Sequence, residues 1–129
     1  MTAVDTNVLV RIVVNDDPAQ SARAAEFLRQ QDRVFLAKTV LLEVEWVLRS
    51  AYRLGRREIL AILRGILAMG SVEVEDEAAV VQAMRWFEEG MDFADSLHVA
   101  SAGPRGFVTF DRALQERARR IGIGKIALL

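Results

Sequence analysis

The sequence predicts an α/β protein in which helices cover both faces of a central, mostly parallel sheet of about five short strands, a three-layer arrangement. Two observations lead to this fold class. Short apolar segments alternate along the chain with longer segments of helical periodicity, as is typical of parallel sheets. The chain also has 129 residues, 52% of them apolar, which suits one domain with a sizeable core. We therefore expect a single domain over residues 1–129.

The first half of the chain is predicted to contain two strands and four helices. Asp16-Asp17-Pro18 marks a helix start, since a carboxylate can cap the helix and proline fits its first turn. Thr39 is the expected cap of the next helix, and Gly70 is expected to close the fourth. The strands are expected over residues 2–5 and 33–37, and the helices over residues 6–14, 18–31, 40–54 and 56–69.

The second half is predicted to continue the alternation with three strands and three helices. Gly90 and Gly122 are expected to end two of the helices, and Gly103-Pro104 should break the short helix between them. The strands are expected over residues 72–74, 106–110 and 125–128, and the helices over residues 76–89, 93–101 and 111–121.

Composition excludes several classes of function. The chain has no cysteine, so disulfides, thiol catalysis and Cys-ligated zinc are excluded. No apolar run is long enough to span a membrane, and the N-terminus does not resemble a signal peptide. A cytoplasmic location is therefore expected.

Basic residues are clustered even though the net charge is only −1. Of the 17 basic residues 15 are arginine, a side chain suited to bidentate phosphate contacts. The clusters are either solvated helix faces or two patches that hold a polyanion. They consist of Arg49, Arg53, Arg56 and Arg57, and of Arg112, Arg117, Arg119 and Arg120.

Four acidic residues stand at the edges of apolar segments. Asp5 and Asp111 each end a predicted strand and open a helix, where they either cap that helix or serve a site at the carboxyl edge of the sheet. Asp95 lies among small and apolar residues that would draw it inward. Glu43 interrupts an apolar helical segment. Because unpartnered carboxylates are costly to bury, we expect the four to share a hard divalent cation.

Glu43 and its neighbour Glu45 are expected to differ. Glu45 has Arg49 four residues later, a favourable surface pair, and is predicted to be a solvated helix residue. Glu43 has no charge partner on its own helix and borders the predicted apolar face that includes Val44 and Val47. A cation or an arginine of another helix must compensate it, and the cation is favoured.

Other polar and aromatic residues near these acids have less certain roles. Asp92 is predicted mainly as a helix cap, with metal binding as the alternative. The only histidine, His98, is expected to be packed and hydrogen-bonded rather than a general base. Thr109 either orients a ligand or bonds to the backbone. Aromatic residues expected in the core are Trp46, Trp86 and Phe87.

An acidic site without histidine or cysteine ligands favours Mg²⁺ or Mn²⁺ over zinc. Such ions activate water and stabilise the charge that develops on a phosphate. Neither a phosphate-binding glycine-rich loop nor an evident Ser–His nucleophile is present.

The acidic pattern resembles the PIN domain, most closely the VapC toxins of bacterial toxin–antitoxin pairs. The resemblance covers essentially the whole chain and is carried by Asp5-Thr6-Asn7, by Glu43, by Asp92-Phe93-Ala94-Asp95 and by Thr109-Phe110-Asp111. One departure is Ala113, where many relatives carry a further acid. Asp92, water or the substrate would then complete the set of metal ligands in place of that acid.

The resemblance implies a metal-dependent ribonuclease with a PIN-like fold, a homodimer inhibited by a small antitoxin. Asp5, Glu43, Asp95 and Asp111 match the acidic quartet of the family. Asn7 and Thr109 match its supporting polar positions.

Three alternatives remain. A haloacid-dehalogenase-like phosphatase would need its second Asp where Asn7 stands. A response-regulator receiver would need paired acids at the first strand, and Lys125 is the only late lysine. A non-catalytic PIN-like interaction module is the third. The apolar ridge of the helix over residues 56–69 is either core, a dimer seam or a groove for an antitoxin helix; it comprises Ile59, Ile62, Leu63, Ile66 and Leu67.

Overall fold

A computed structural model describes all 129 residues and divides them into two compact units, Met1–Glu75 and Asp76–Leu129. No helix combines the length and the apolar character needed to cross a membrane. The predicted alternation of strands and helices is confirmed, with boundaries that differ by a few residues. The elements of the first unit are β1 (Thr2–Ala3), α1 (Thr6–Val13), α2 (Pro18–Gln30), β2 (Val34–Leu36), α3 (Lys38–Ser50), α4 (Arg56–Leu67) and β3 (Val72–Val74).

The first unit contains a three-stranded parallel sheet in the order β1-β2-β3. Thr2 is paired with Val34, and Val34 in turn with Val72. Two helix starts follow the predicted chemistry: Asp5 caps α1, and Asp17 caps α2 ahead of Pro18. Each cap carboxylate accepts a backbone N–H that the helix leaves unpaired.

The apolar ridge of α4 is core. Ile59, Leu63 and Ile66 are at most 1% exposed, while Ile62 and Leu67 are half-buried. This confirms the interpretation of the ridge as core.

Helix α3 begins earlier than predicted and buries a different face. It starts at Lys38 after Ala37, which makes no side-chain cap, so the expected role of Thr39 was wrong. The buried stripe is Leu41, Val44, Glu45 and Leu48, at the spacing of one helical face. Trp46 lies off this stripe and is 58% exposed, so its predicted place in the core was also wrong.

Glu45 is the main correction in α3. It was expected to be solvated, yet it is only 1% exposed. Arg49 compensates it: Nε donates to Glu45 Oε2 at 2.8 Å, and Nη2 donates to Oε1 at 3.4 Å. The i, i+4 pair that suggested a surface position is the feature that permits burial, because it satisfies both carboxylate oxygens.

The second unit contains a parallel pair of strands and three helices. Its elements are α5 (Glu77–Glu88), α6 (Phe93–Ser101), β4 (Phe107–Thr109), α7 (Arg112–Arg120) and β5 (Ile126–Leu128). Phe107 in β4 is paired with Ile126 in β5. Gly90 and Gly122 follow α5 and α7 with φ of +109° and +88°, conformations in which a Cβ would be strained.

The second unit has its own apolar core. Met91, Val99 and Leu114 are buried together, with Trp86, Phe107 and three isoleucines packed against them. Phe93 is 1% exposed and meets Phe87 edge to face, with ring centroids 5.5 Å apart. Phe87 is therefore core as predicted, and Trp86 is partly buried. His98 is exposed, which contradicts the expectation that it is packed.

Candidate active site

Three carboxylates of the second unit line one small cavity. Asp92, Asp95 and Asp111 surround a space of about 130 Å³. Asp92 caps α6, its Oδ2 accepting from the backbone N–H of Asp95 at 3.0 Å. Asp111 caps α7, its Oδ1 accepting from the N–H of Leu114 at 3.0 Å. Capping uses one oxygen of each carboxylate and leaves the other available to a ligand.

Asp95 is partly buried at this cavity. Its pKa is raised above the ordinary value, first by burial and then by the negative charges of Asp92 and Asp111. His98 and Arg117 oppose the rise of the pKa. Desolvation and like charges both disfavour an ionised carboxylate, so a cation in this cavity would stabilise all three.

Arg117 lines the cavity, and Thr109 contacts the backbone of Asp111. Arg117 also donates from Nη1 to the carbonyl of Gly90 at 2.9 Å. Thr109 Oγ1 accepts from the backbone N–H of Asp111 at 3.0 Å. Of the two roles considered for Thr109, this contact corresponds to the backbone bond, and it fixes the turn that presents Asp111.

The first unit presents Asp5 and Asn7 together. Asp5 Oδ1 accepts from the backbone N–H of Asn7 at 3.2 Å. Both residues line a larger cavity of about 490 Å³ together with Arg11, Gln20 and Arg23 from α1 and α2. Asp5 is exposed, so its carboxylate is solvated and needs no counter-ion for burial.

Glu43 is exposed on α3 and does not line either cavity. The energetic argument that singled it out does not hold, since a solvated carboxylate carries no burial cost. Glu45 carries that cost instead.

Comparison with known families decides the classification. The family model of the PIN domain matches residues 2–120. The chain belongs to the PIN domain family. Membership confirms the resemblance and the α/β fold class, and it argues against the phosphatase and receiver alternatives. Comparison with curated proteins finds no match.

Among solved structures, this PIN domain is similar to VapC20 of Mycobacterium tuberculosis, described as a toxin that cleaves the sarcin-ricin loop. The two are 23% identical, and the match covers 79% of this chain and 81% of that chain with a TM-score of 0.46. The family assignment depends on the match to the family model and not on this likeness.

The carboxylates of this PIN domain are suited to a hard cation, although they are not arranged as a preformed metal site. In neither unit do three or more acidic or histidine side chains converge closely enough to hold a metal ion. The cavity is nevertheless lined by the carboxylates of Asp92, Asp95 and Asp111, which are oxygen donors of the kind that Mg²⁺ prefers. The pKa of Asp95 is raised by burial and, to a smaller extent, by the negative charges of Asp92 and Asp111.

Two residues of this PIN domain were not assigned a role from the sequence alone. Arg117 was recognised only as a member of a basic cluster. It lines the acidic cavity because of the direction in which α7 presents its side chain. Thr6 Oγ1 is buried without a hydrogen-bond partner, beside Asp5. Thr6 stands between the polar residues Asp5 and Asn7, so neither its burial nor its missing partner had a signal in the sequence.

The pKa of Asp95 leads to a testable pH dependence. Because the pKa is higher in the folded state, the stability contributed by Asp95 is fully present below its unfolded pKa and is lost as pH rises through the folded pKa. Asp95→Asn is uncharged at every pH, so without divalent cations it should be more stable than the wild type at pH 7. The difference should shrink as pH falls through the carboxylate range.

Urea unfolding between pH 3 and pH 7 measures this difference. The matched control is Asp32→Asn, an exposed acid on the turn before β2. If Asp95→Asn is less stable than wild type at pH 7, the repulsion inferred for Asp95 is refuted.

Proposed function

We propose that this PIN domain is a Mg²⁺- or Mn²⁺-dependent endoribonuclease, the toxin of a toxin–antitoxin pair. The observation that carries the proposal is the crowding of Asp92, Asp95 and Asp111 around one cavity, with the pKa of Asp95 raised. Family membership supports a nuclease, since an acidic site of this kind is suited to phosphodiester hydrolysis.

Asp5, Glu43, Asp95 and Asp111 are the proposed cation ligands, and Asp92 supplements them where Ala113 leaves no acid. When bound, the cation lowers the pKa of water and neutralises charge on the phosphate. The carboxylates of the chain orient that cation, and Asp111 is held for this role by its bonds to Thr109 and Leu114. Asn7 supports Asp5.

Arg117 is the proposed contact to the substrate phosphate. It lines the acidic cavity, is exposed and uses one N–H on the carbonyl of Gly90, which leaves other donors available. The remaining basic residues of α7 would contact flanking phosphates and make substrate binding sensitive to salt.

The proposed biological role depends on the resemblance in sequence. We propose that the protein is a cytoplasmic homodimer that cuts cellular RNA and is inhibited by a small antitoxin protein. Growth arrest on expression is the expected phenotype.

A non-catalytic PIN-like module is the second candidate. It is favoured by the exposure of Asp5 and Glu43 and by the absence of three convergent ligands in either unit. Such a module should show no rise in melting temperature with Mn²⁺, whereas a cation-binding site gains stability by mass action.

Expression in a bacterial host tests the proposal in the cell. Wild-type protein should arrest growth, and sequencing of RNA ends should reveal new cleavage sites. Asp5→Asn should give neither effect at equal protein level, because it loses a proposed ligand. Equal arrest and identical new ends in the Asp5→Asn strain would refute the assigned role of Asp5.

A further inference from the structure

Phe110 is an aromatic side chain that the proposed chemistry does not use. It is 79% exposed, the most exposed large apolar residue in the chain. Burying such a ring would stabilise the fold, and its exposed position gives up that stabilisation.

The alternation of β4 explains why Phe110 faces outward. Phe107 and Thr109 are half-buried, and Phe107 packs against the core of the second unit. Val108 is 59% exposed, as the two-residue period of a strand leads one to expect, and the same alternation continues to Phe110 in the bend directly after β4.

The backbone around Phe110 is held on both sides. Thr109 O accepts from the N–H of Leu129 at 2.9 Å, and Thr109 Oγ1 accepts from the N–H of Asp111 at 3.0 Å. Asp111 is in turn tied to Leu114. The backbone on both sides of Phe110 is therefore fixed by hydrogen bonds. Phe110 directly precedes Asp111, whose carboxylate lines the acidic cavity.

Helix α7 begins two residues after Phe110 and is strongly basic, with Arg112 the nearest of its arginines along the chain. Its four arginines are exposed and outnumber its one acid, Glu116. An exposed aromatic ring beside arginines is the combination with which proteins hold single-stranded nucleic acid, since the ring stacks on a base while the arginines neutralise phosphates. The arginines are Arg112, Arg117, Arg119 and Arg120.

We propose that Phe110 is a stacking platform for a base of single-stranded RNA next to the proposed cation site to which Asp111 belongs. This proposal depends on the proposed ribonuclease function and adds a substrate-positioning residue to it. Stacking requires an unpaired base, so the platform selects single-stranded segments or loops over duplex.

Fluorescence anisotropy with a short, labelled, mixed-sequence RNA tests the proposal in the cleavage-impaired Asp95→Asn background. Adding Phe110→Ala should raise the Kd about tenfold, while Phe110→Trp should keep it within about twofold. Val108→Ala, at the exposed position within β4, should leave the Kd unchanged.

Salt dependence separates stacking from a structural effect. Phe110→Ala should leave the slope of log Kd against log salt unchanged, because a phenyl ring releases no counter-ions. Arg112→Gln should reduce that slope by about 0.7. In cleavage-competent protein, Phe110→Ala should raise KM more than it lowers kcat.

Two results would contradict a stacking role for Phe110. One is a Kd for Phe110→Ala within twofold of the parent background. The other is a change in molar mass for Phe110→Ala with unchanged RNA binding, which would assign the ring to contact between copies of this chain. Failure of the ribonuclease proposal is distinct, since wild-type protein would then cleave no RNA.

Discussion

Asp95→Asn is expected to lower cation-dependent RNA cleavage by about 100-fold or more, because even outer contacts of a metal site change activity by roughly 10- to 100-fold. The pKa of Asp95 is raised by burial and by Asp92 and Asp111, so a bound cation would stabilise its ionised form. Asparagine keeps the shape of the side chain and removes its charge.

Initial rates on a labelled RNA at saturating Mg²⁺ or Mn²⁺ measure this effect. The control is Asp32→Asn, which makes the same chemical change outside the acidic motifs. It should cleave at the wild-type rate. Since Asp95→Asn is also expected to be the more stable protein at neutral pH, lost activity cannot be ascribed to unfolding. A fall in cleavage of less than about threefold would contradict a ligand role for Asp95.

Arg49→Leu is expected to destabilise the first unit by about 2 kcal/mol. Removing one partner of a buried ion pair leaves an uncompensated charge at a cost of about 3–5 kcal/mol, and the half-exposed guanidinium of Arg49 lowers that figure. The charge left behind is Glu45, which is 1% exposed on the buried stripe of α3. Urea unfolding at pH 7 measures the change in the free energy of unfolding.

A double variant separates this mechanism from a general loss of packing. Glu45→Leu combined with Arg49→Leu should recover stability to within about 1 kcal/mol of wild type, since the buried charge is gone. Arg57→Leu, on the exposed side of α4, is the matched control and should change little. If the double variant is less stable than Arg49→Leu, the buried-charge explanation is wrong.

The order and type of the secondary structure elements could be predicted because local signals coincide with them. Asp17 and Pro18 start a helix by capping and fixed φ, and Gly90 and Gly122 end helices in conformations that other residues disfavour. These signals act within a few residues, so they are readable without tertiary structure.

The faces of α3 could not be predicted in the same way. Val40, Val44 and Val47 suggested one apolar stripe, whereas the helix buries Leu41, Val44 and Leu48 together with Glu45. A shift of one residue rotates a helix by about 100°, and packing against its neighbours decides between such alternatives. Glu43 was favoured over Glu45 because it borders the stripe expected from the valines and because only Glu45 has a charge partner, Arg49, on the helix.

The candidate site was predictable in part. Asp95 and Asp111 do meet around one cavity, joined by Asp92, because strand ends and helix starts gather at one edge of a parallel pair. The contribution of Arg117 depended on where α7 places a side chain six residues after Asp111, which no local signal reveals.

The decisive measurement is to incubate purified wild-type protein with RNA in Mg²⁺ or Mn²⁺ and separately in excess chelator. We expect new RNA ends only with the divalent cation, and none when Asp5→Asn replaces the wild type. Equal cleavage in chelator, or undiminished cleavage by Asp5→Asn, would contradict a cation-dependent acidic site.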